Sequence, residues 1–278
     1  TPRHRGDRVE YDFDTSMTLE VPGDWNTQHP ELHFYEGSVW YRRHIEIDAA
    51  DATELGAGRS FLSFGAVNHT SRVFLDGEEL ATHVGGFGGF AVEVTGRLSP
   101  GTHSLVVQVN NRREPDRIPA MRTDWWNFGG ITRSVELVTV PTRFIRDAWI
   151  TMSSDGSLEG GVAIEGDTSG LAVAVTLGDV VVVDRLPAGT DVRFTLSAEL
   201  AAPLERWHPG APVLHDAAFS LLDADGGEVD RVTDHVGVRT VRTEGTTILV
   251  NDEPVFCKGI SIHGEGPSGG KRAHGADD

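Results

Sequence analysis

The chain has 278 residues, enough for two ordinary domains with sizeable cores. Its 38% hydrophobic and 24% charged content marks a globular protein rather than a disordered one, and no apolar run approaches the roughly 20 residues of a membrane span. A formal net charge of -18 argues against nucleic acid and anionic membranes as partners. The single cysteine, Cys257, rules out an intrachain disulfide and a cysteine-based metal site. That usage suits bacterial cytoplasm and a periplasmic or secreted location equally. No signal peptide is visible, and a start at Thr1 reads as a trimmed N-terminus.

Strand signals dominate from the start. Val39, Tyr41, Arg43, Ile45 and Ile47 alternate with Trp40, Arg42, His44 and Glu46 at the period of a strand. Further short runs are Phe61-Leu62-Ser63-Phe64, Arg72-Val73-Phe74-Leu75, Ala91-Val92-Glu93-Val94 and Leu105-Val106-Val107-Gln108-Val109. Asp76-Gly77 predicts a hairpin turn and Pro100-Gly101 another turn. A boundary falls near Pro141-Thr142-Arg143. A second strand series follows, through Ala148-Trp149-Ile150, Leu171 to Val175, Val180 to Val183, Val192-Arg193-Phe194 and Phe219 to Leu222. Asp223-Ala224-Asp225-Gly226 faintly resembles a calcium loop, but the pattern breaks after the glycine and a hairpin turn is the better reading. A third segment starts near Glu244, with a hairpin about Asn251-Asp252-Glu253-Pro254 and a glycine-rich tail over 264–278 that lacks a core of its own. No window carries an apolar stripe of helical period. Short strands between Gly and Pro turns predict an all-β chain of two β-sandwiches, the second immunoglobulin-like.

The run Arg122-Thr123-Asp124-Trp125-Trp126-Asn127-Phe128-Gly129-Gly130-Ile131-Thr132-Arg133 is the most informative segment. Indole faces beside a carboxylate and an amide are what a sugar needs, because C–H-rich sugar faces pack on indoles and hydroxyls bond to Asp or Asn. The same residues also read as a plugged core with Asp124 capping a turn.

Motifs along the chain resemble the family 2 glycoside hydrolases, the β-galactosidase and β-glucuronidase group. They are Val21-Pro22-Gly23-Asp24-Trp25-Asn26, Tyr35 to Arg43, Val73-Phe74-Leu75-Asp76-Gly77 with Gly85-Gly86-Phe87, and Asp124 to Arg133. Arg206-Trp207-His208-Pro209, Val236-Gly237-Val238-Arg239 and Asn251 to His263 follow. The resemblance implies a jelly-roll sugar-binding domain over 1–143, an immunoglobulin-like sandwich over 144–243 and the start of a (β/α)8 catalytic barrel over 244–278. The Asp-Trp-Trp-Asn-Phe-Gly-Gly-Ile form resembles the β-glucuronidase-like members more than the large β-galactosidases. The family's opening Gly-Thr-Trp-like strand is missing, and so is the barrel beyond its first strand.

In the family, an aspartate at the position of Asp124 reaches from the jelly roll into the active site and binds sugar hydroxyls. The histidine ending the first barrel strand, matched by His263, lines the sugar subsite. The alternatives are a turn cap for Asp124 and a satisfied core histidine for His263. The resemblance puts the acid/base and nucleophile glutamates on later barrel strands, so the chain alone is expected to be inactive and Glu265 is not expected to be the acid. Trp125 and Trp126 stay outside the expected site, since at least one reads as packing. No metal or cofactor is expected. A bacterial source is expected, and there the sequon at Asn68-His69-Thr70 would mean little; Arg42-Arg43 and Arg112-Arg113 read as solvated faces or support for carboxylates. Expected partners are a carbohydrate, the remainder of the barrel and, through surface the barrel would cover, further copies of the chain. A stand-alone carbohydrate-binding or adhesion module is the rival reading. Residues 251–263, which resemble the opening of a barrel, argue against it.

Overall fold

The computed structural model describes residues 13–261 and His274. His263, Glu265 and the tail apart from His274 lie outside the described residues. The fold is all-β, with helix limited to 8%. Two compact units are present, one holding the described residues up to Thr139 with Ser261 and His274, the other Val140–Ile260.

The first unit is a jelly-roll sandwich. Its strands are β1 (Gly23–Asp24), β2 (Ser38–Ile47), β3 (Arg59–Phe64), β4 (Val67–Asn68), β5 (Thr70–Leu75), β6 (Glu78–Val84), β7 (Phe90–Glu93), β8 (Gly101–Asn110), β9 (Gly130–Ile131) and β10 (Val135–Val140). Helix α1 (Trp25–Gln28) follows β1, and α2 (Ala49–Gly56) follows β2. One sheet runs β2-β8-β5-β6, a second β10-β3-β7, and a small third β1-β9-β4. The alternation read from sequence points one side of each strand inward. Leu62 and Phe64 of β3 meet Val73, Leu75, Val107 and Val109 of the four-stranded sheet, all buried. Each such side chain contributes about 1.5–3 kcal/mol by leaving water. The Asp76-Gly77 turn joins β5 to β6 with both residues at positive φ, 48° and 85°, matching the right-handed strand twist.

The second unit is an immunoglobulin-like sandwich. Its strands are β11 (Phe144–Met152), β12 (Leu158–Glu165), β13 (Ala172–Leu177), β14 (Val180–Pro187), β15 (Asp191–Leu196), β16 (His215–Leu222) and β17 (Glu228–Val236), with a short α3 (Ala198–Ala201). Sheets β11-β12-β15 and β14-β13-β16-β17 enclose Leu158, Val162, Val173, Val175, Phe219 and Leu221. A three-stranded meander, β18 (Val241–Glu244), β19 (Thr247–Val250) and β20 (Glu253–Val255), completes it. Asn251 and Asp252 turn β19 into β20 at φ 52° and 67°. The Asp223 carboxylate accepts from the amides of Asp225 (3.0 Å) and Gly227 (2.7 Å), which closes the β16–β17 hairpin.

Among the elements the sequence reading did not name are helix α2 and strand β12. Helix α2 fully buries no residue, and only Ala52 and Leu55 pack, half-buried, against the core. It forms because Asp48 and Asp51 make a reciprocal capping box, Asp48 accepting from the amides of Ala50 and Asp51 and Asp51 from that of Asp48. Strand β12 was hidden by Gly160-Gly161, which break its alternation. A Cβ at Gly160 would lie 2.1 Å from the Phe194 ring, and one at Gly161 2.8 Å from the Trp149 indole nitrogen. The glycines make room for those rings.

Candidate functional site

The site is a loop, residues 112–126, that leaves the end of β8 and returns before β9. Its neck is closed by two buried asparagines. Asn111 Nδ2 donates to the Asn127 carbonyl at 2.9 Å, and Asn127 Nδ2 donates to the Asn111 carbonyl. Asn111 Oδ1 also accepts from the Gly37 amide at 2.9 Å. Both asparagines are buried, so an unpaired side-chain group on either would cost about 1–3 kcal/mol.

Below the neck, the early motif locks onto the late one. Trp25 and Asn26 are both buried. The Trp25 amide donates to the Gly129 carbonyl at 2.9 Å, and Asn26 Oδ1 accepts from the Gly129 amide at 2.8 Å. Asn26 Nδ2 donates to the carbonyls of Leu32, His33 and Tyr35 at 3.0–3.2 Å. Asp24, fully buried at the start of α1, accepts from the Thr27 amide at 2.8 Å and meets His274 Nε2 at 3.1 Å. Burial, aided by the nearby Asp24 charge, pushes the Tyr41 phenol far above its ordinary pKa, so it stays neutral. Residues about a hundred positions apart thus form one hydrogen-bonded layer.

Asp124 lies on the loop, three residues before Asn127. Its side chain is exposed and makes no hydrogen bond or ion pair with any described residue. The chain on either side of it is held fast. Arg113 Nη1 donates to the Thr123 carbonyl at 3.0 Å and Nη2 to the Trp125 carbonyl at 2.7 Å. Arg113 Nε donates to Glu36 Oε1 at 2.8 Å. Thr123 turns back on Ala120, its hydroxyl donating to that carbonyl at 2.5 Å. Arg117 ties the far side of the loop through Glu114 (3.0 Å) and the Arg112 carbonyl (3.1 Å).

The two indoles differ. Trp126 is half-buried and packs on His33, Phe34 and Phe128 at centroid distances of 4.7, 5.5 and 6.2 Å, while Trp125 is exposed. Asn68, the acceptor of the sequon, is buried and donates to the Phe128 carbonyl. An apolar cavity of about 450 Å³ is lined by Tyr41, Ile45, Leu62, Phe64, Val107 and Ile131 among others, none of them on the 112–126 loop. Among the described residues no cluster of three or more His, Cys, Asp or Glu could hold a metal ion.

Of the two residues expected from sequence, Asp124 is presented to solvent on a pinned loop and His263 lies outside the described residues. Sequence reasoning missed Arg113, Glu36 and the asparagine pair. The signal for the pair was available, because Asn111 directly follows a strong alternating strand and Asn127 directly precedes the glycine pair.

Comparison with known proteins gives two family matches. Residues 4–141 match the model described as "Glycosyl hydrolases family 2, sugar binding domain" and residues 144–239 that described as "Glycosyl hydrolases family 2". A β-glucuronidase of Paenibacillus borealis is 30% identical over 92% of this chain and 46% of its own length. A β-galactosidase of Thermoanaerobacter pseudethanolicus is 26% identical over 94% of this chain and 37% of its own. A solved structure of Bifidobacterium dentium β-glucuronidase complexed with coumarin-3-O-glucuronide superposes with a TM-score of 0.75 at 25% identity, over 90% of this chain and 48% of that one. The chain therefore spans less than half the length of the relatives it matches.

Proposed function

The chain belongs to glycosyl hydrolase family 2, and on that premise we propose that it is the non-catalytic N-terminal part of a retaining β-glycosidase acting on terminal β-glucuronides or β-galactosides. In this reading residues 1–143 are the sugar-binding domain, 144–243 the immunoglobulin-like spacer and 244–278 the opening of the catalytic barrel. Asp124 supplies a carboxylate to the sugar subsite, and His263 lines the same subsite from the barrel. The nucleophile and the acid/base are two glutamates on barrel strands outside this chain, about 5–5.5 Å apart as retention requires. The proposal follows the two family matches and the share of its relatives that the chain spans.

One observation carries the role of Asp124. Its carboxylate is exposed and unbonded to any described residue while the backbone beside it is gripped by Arg113. A turn cap would accept a hydrogen bond from a nearby amide, and none is present among the described residues. A carboxylate held out in this way is available to hydroxyl donors. Each charged hydrogen bond in a water-poor subsite contributes about 1.5–3 kcal/mol. Contacts to sugar hydroxyls also tighten as the ring distorts toward the oxocarbenium-like state.

The test is Asp124→Ala in the intact glycosidase, with melting and steady-state kinetics on one preparation. We expect kcat/KM to fall by roughly 10²-fold or more, as two such bonds imply, with the melting temperature nearly unchanged. A normal kcat/KM would remove Asp124 from the subsite.

A further inference from the structure

We propose that Arg113, oriented by Glu36, is the positioning residue of the 112–126 loop and sets where the Asp124 carboxylate points. The inference rests on the reading of Asp124 as a sugar ligand and adds what holds it there.

The geometry is a three-way fork. The guanidinium spends Nε on Glu36 Oε1 (2.8 Å), Nη1 on the Thr123 carbonyl (3.0 Å) and Nη2 on the Trp125 carbonyl (2.7 Å). The two carbonyls flank Asp124 in sequence, so a single planar group holds the peptide unit that enters Asp124 and the one that leaves Trp125. A guanidinium suits this task because its donors lie in one plane at fixed angles, whereas an ammonium is a point charge on a flexible stem. Glu36 sets the roll of that plane, and the Arg113 amide also reaches Glu36 Oε2 at 3.4 Å. The base of the fork is rigid in turn, since Gly37 and Asn111 bond each other through Gly37 N–Asn111 Oδ1 (2.9 Å) and Asn111 N–Gly37 O (3.2 Å). Four-fifths of the Arg113 side chain is out of solvent, its side-chain exposure being 19%, with the bond to the Thr123 carbonyl the most sheltered and those to Glu36 and the Trp125 carbonyl nearer solvent. Asp124 has no described bond of its own that could orient it. Its direction is inherited from the backbone that Arg113 holds, and a misplacement of about 1 Å at a reacting or binding group can cost up to 10²-fold.

The experiment combines hydrogen exchange with kinetics in the intact glycosidase, using Arg113→Lys, Arg113→Ala, Asp124→Asn and the double variant Arg113→Lys/Asp124→Asn. Arg113→Lys keeps the charge and should keep the fold, so it stands even where Arg113→Ala does not fold. We expect Arg113→Lys to speed amide exchange at least tenfold in peptides covering 120–126 and nowhere else. We expect it to lower kcat/KM about tenfold, and to change kcat/KM less than twofold in the Asp124→Asn background. A merely structural arginine would act equally in both backgrounds. Unchanged exchange over 120–126 overturns the proposal whatever the kinetics show. So does an Arg113→Lys kcat/KM within twofold of the parent while Asp124→Asn is impaired, and in that case Asp124 keeps its role. A silent Asp124→Asn overturns instead the assignment of Asp124 to the sugar, and the exchange measurement alone then decides whether Arg113 orders the loop.

Discussion

Replacing Gly129 by alanine tests the layer beneath the site. A Cβ there would lie 2.1 Å from Trp25 Cζ2, 2.5 Å from Cη2 and 2.6 Å from Asn111 Nδ2. Ordinary contact begins near 3.4 Å, so the indole must retreat by about 1.3 Å or the backbone must move. Neither has room. Trp25 is completely buried, and Gly129 is bonded on both faces, through its amide to Asn26 and its carbonyl to Trp25. Overpacking of this kind costs about 1–3 kcal/mol, and pulling apart one buried hydrogen bond adds about 1–3 more. We expect a loss of about 3–5 kcal/mol, against a typical total of about 5–15, and a fall of roughly 10 °C or more in the melting of the first unit. Calorimetry with near-ultraviolet circular dichroism would follow that unit. The decisive comparison is a double-mutant cycle with Trp25→Phe, which deletes the ring atoms that the new methyl strikes. Trp25→Phe alone leaves a cavity and destabilises, but the pair should be at least about 1 kcal/mol less unstable than the sum of the singles. Strict additivity, or a Gly129→Ala protein within about 0.5 kcal/mol of the parent, would refute the packing argument.

A second expectation concerns pH. His103 Nδ1 meets Asp76 at 2.6 Å and Nε2 meets the Ser99 carbonyl at 2.7 Å, and the Asp76 bond first, then the Ser99 bond, raise its pKa. Because the folded pKa exceeds the unfolded value, the stabilisation is complete below about pH 6.5 and is lost as pH rises through the folded value. His103→Gln should therefore cost stability at pH 5.5–6.5 and progressively less toward pH 9 in denaturant titrations. A gap that stays constant with pH would contradict this. The chain by itself should release no p-nitrophenol from β-glycosides above background, since neither glutamate of the proposed mechanism lies within it. Turnover by the pure chain that disappears in Glu265→Gln would reverse the dismissal of that residue.

Much of the fold was legible because β-strands announce themselves by alternation and hairpins by Asp-Gly or Asn-Asp pairs, as at Asp76-Gly77 and Asn251-Asp252. Strand β12 escaped because Gly160 and Gly161 are chosen by the rings of Phe194 and Trp149, which belong to other strands. Helix α2 escaped because a capping box starts it and only Ala52 and Leu55 pack against the core, too few for a stripe of helical period to show. At the candidate site, the sequence singled out Asp124 through its neighbours, and its role stays a proposal. Arg113 was not singled out, because the basic pair Arg112-Arg113 looks like any solvated pair until the loop folds back and places two carbonyls before it. Its link to a carboxylate was foreseen in kind, but nothing near it in sequence identifies Glu36 as the partner.

The asparagine pair at the loop neck bears on how long the loop can be. Because Asn111 and Asn127 satisfy each other's carbonyls, the β8 and β9 ends are sealed whatever chain runs between them. The loop can then lengthen or shorten without shifting strand register. Doubling its length would add only about 0.6 kcal/mol of closure entropy. A loop of another length could therefore be closed by the same asparagine pair at little cost to the sandwich that carries it.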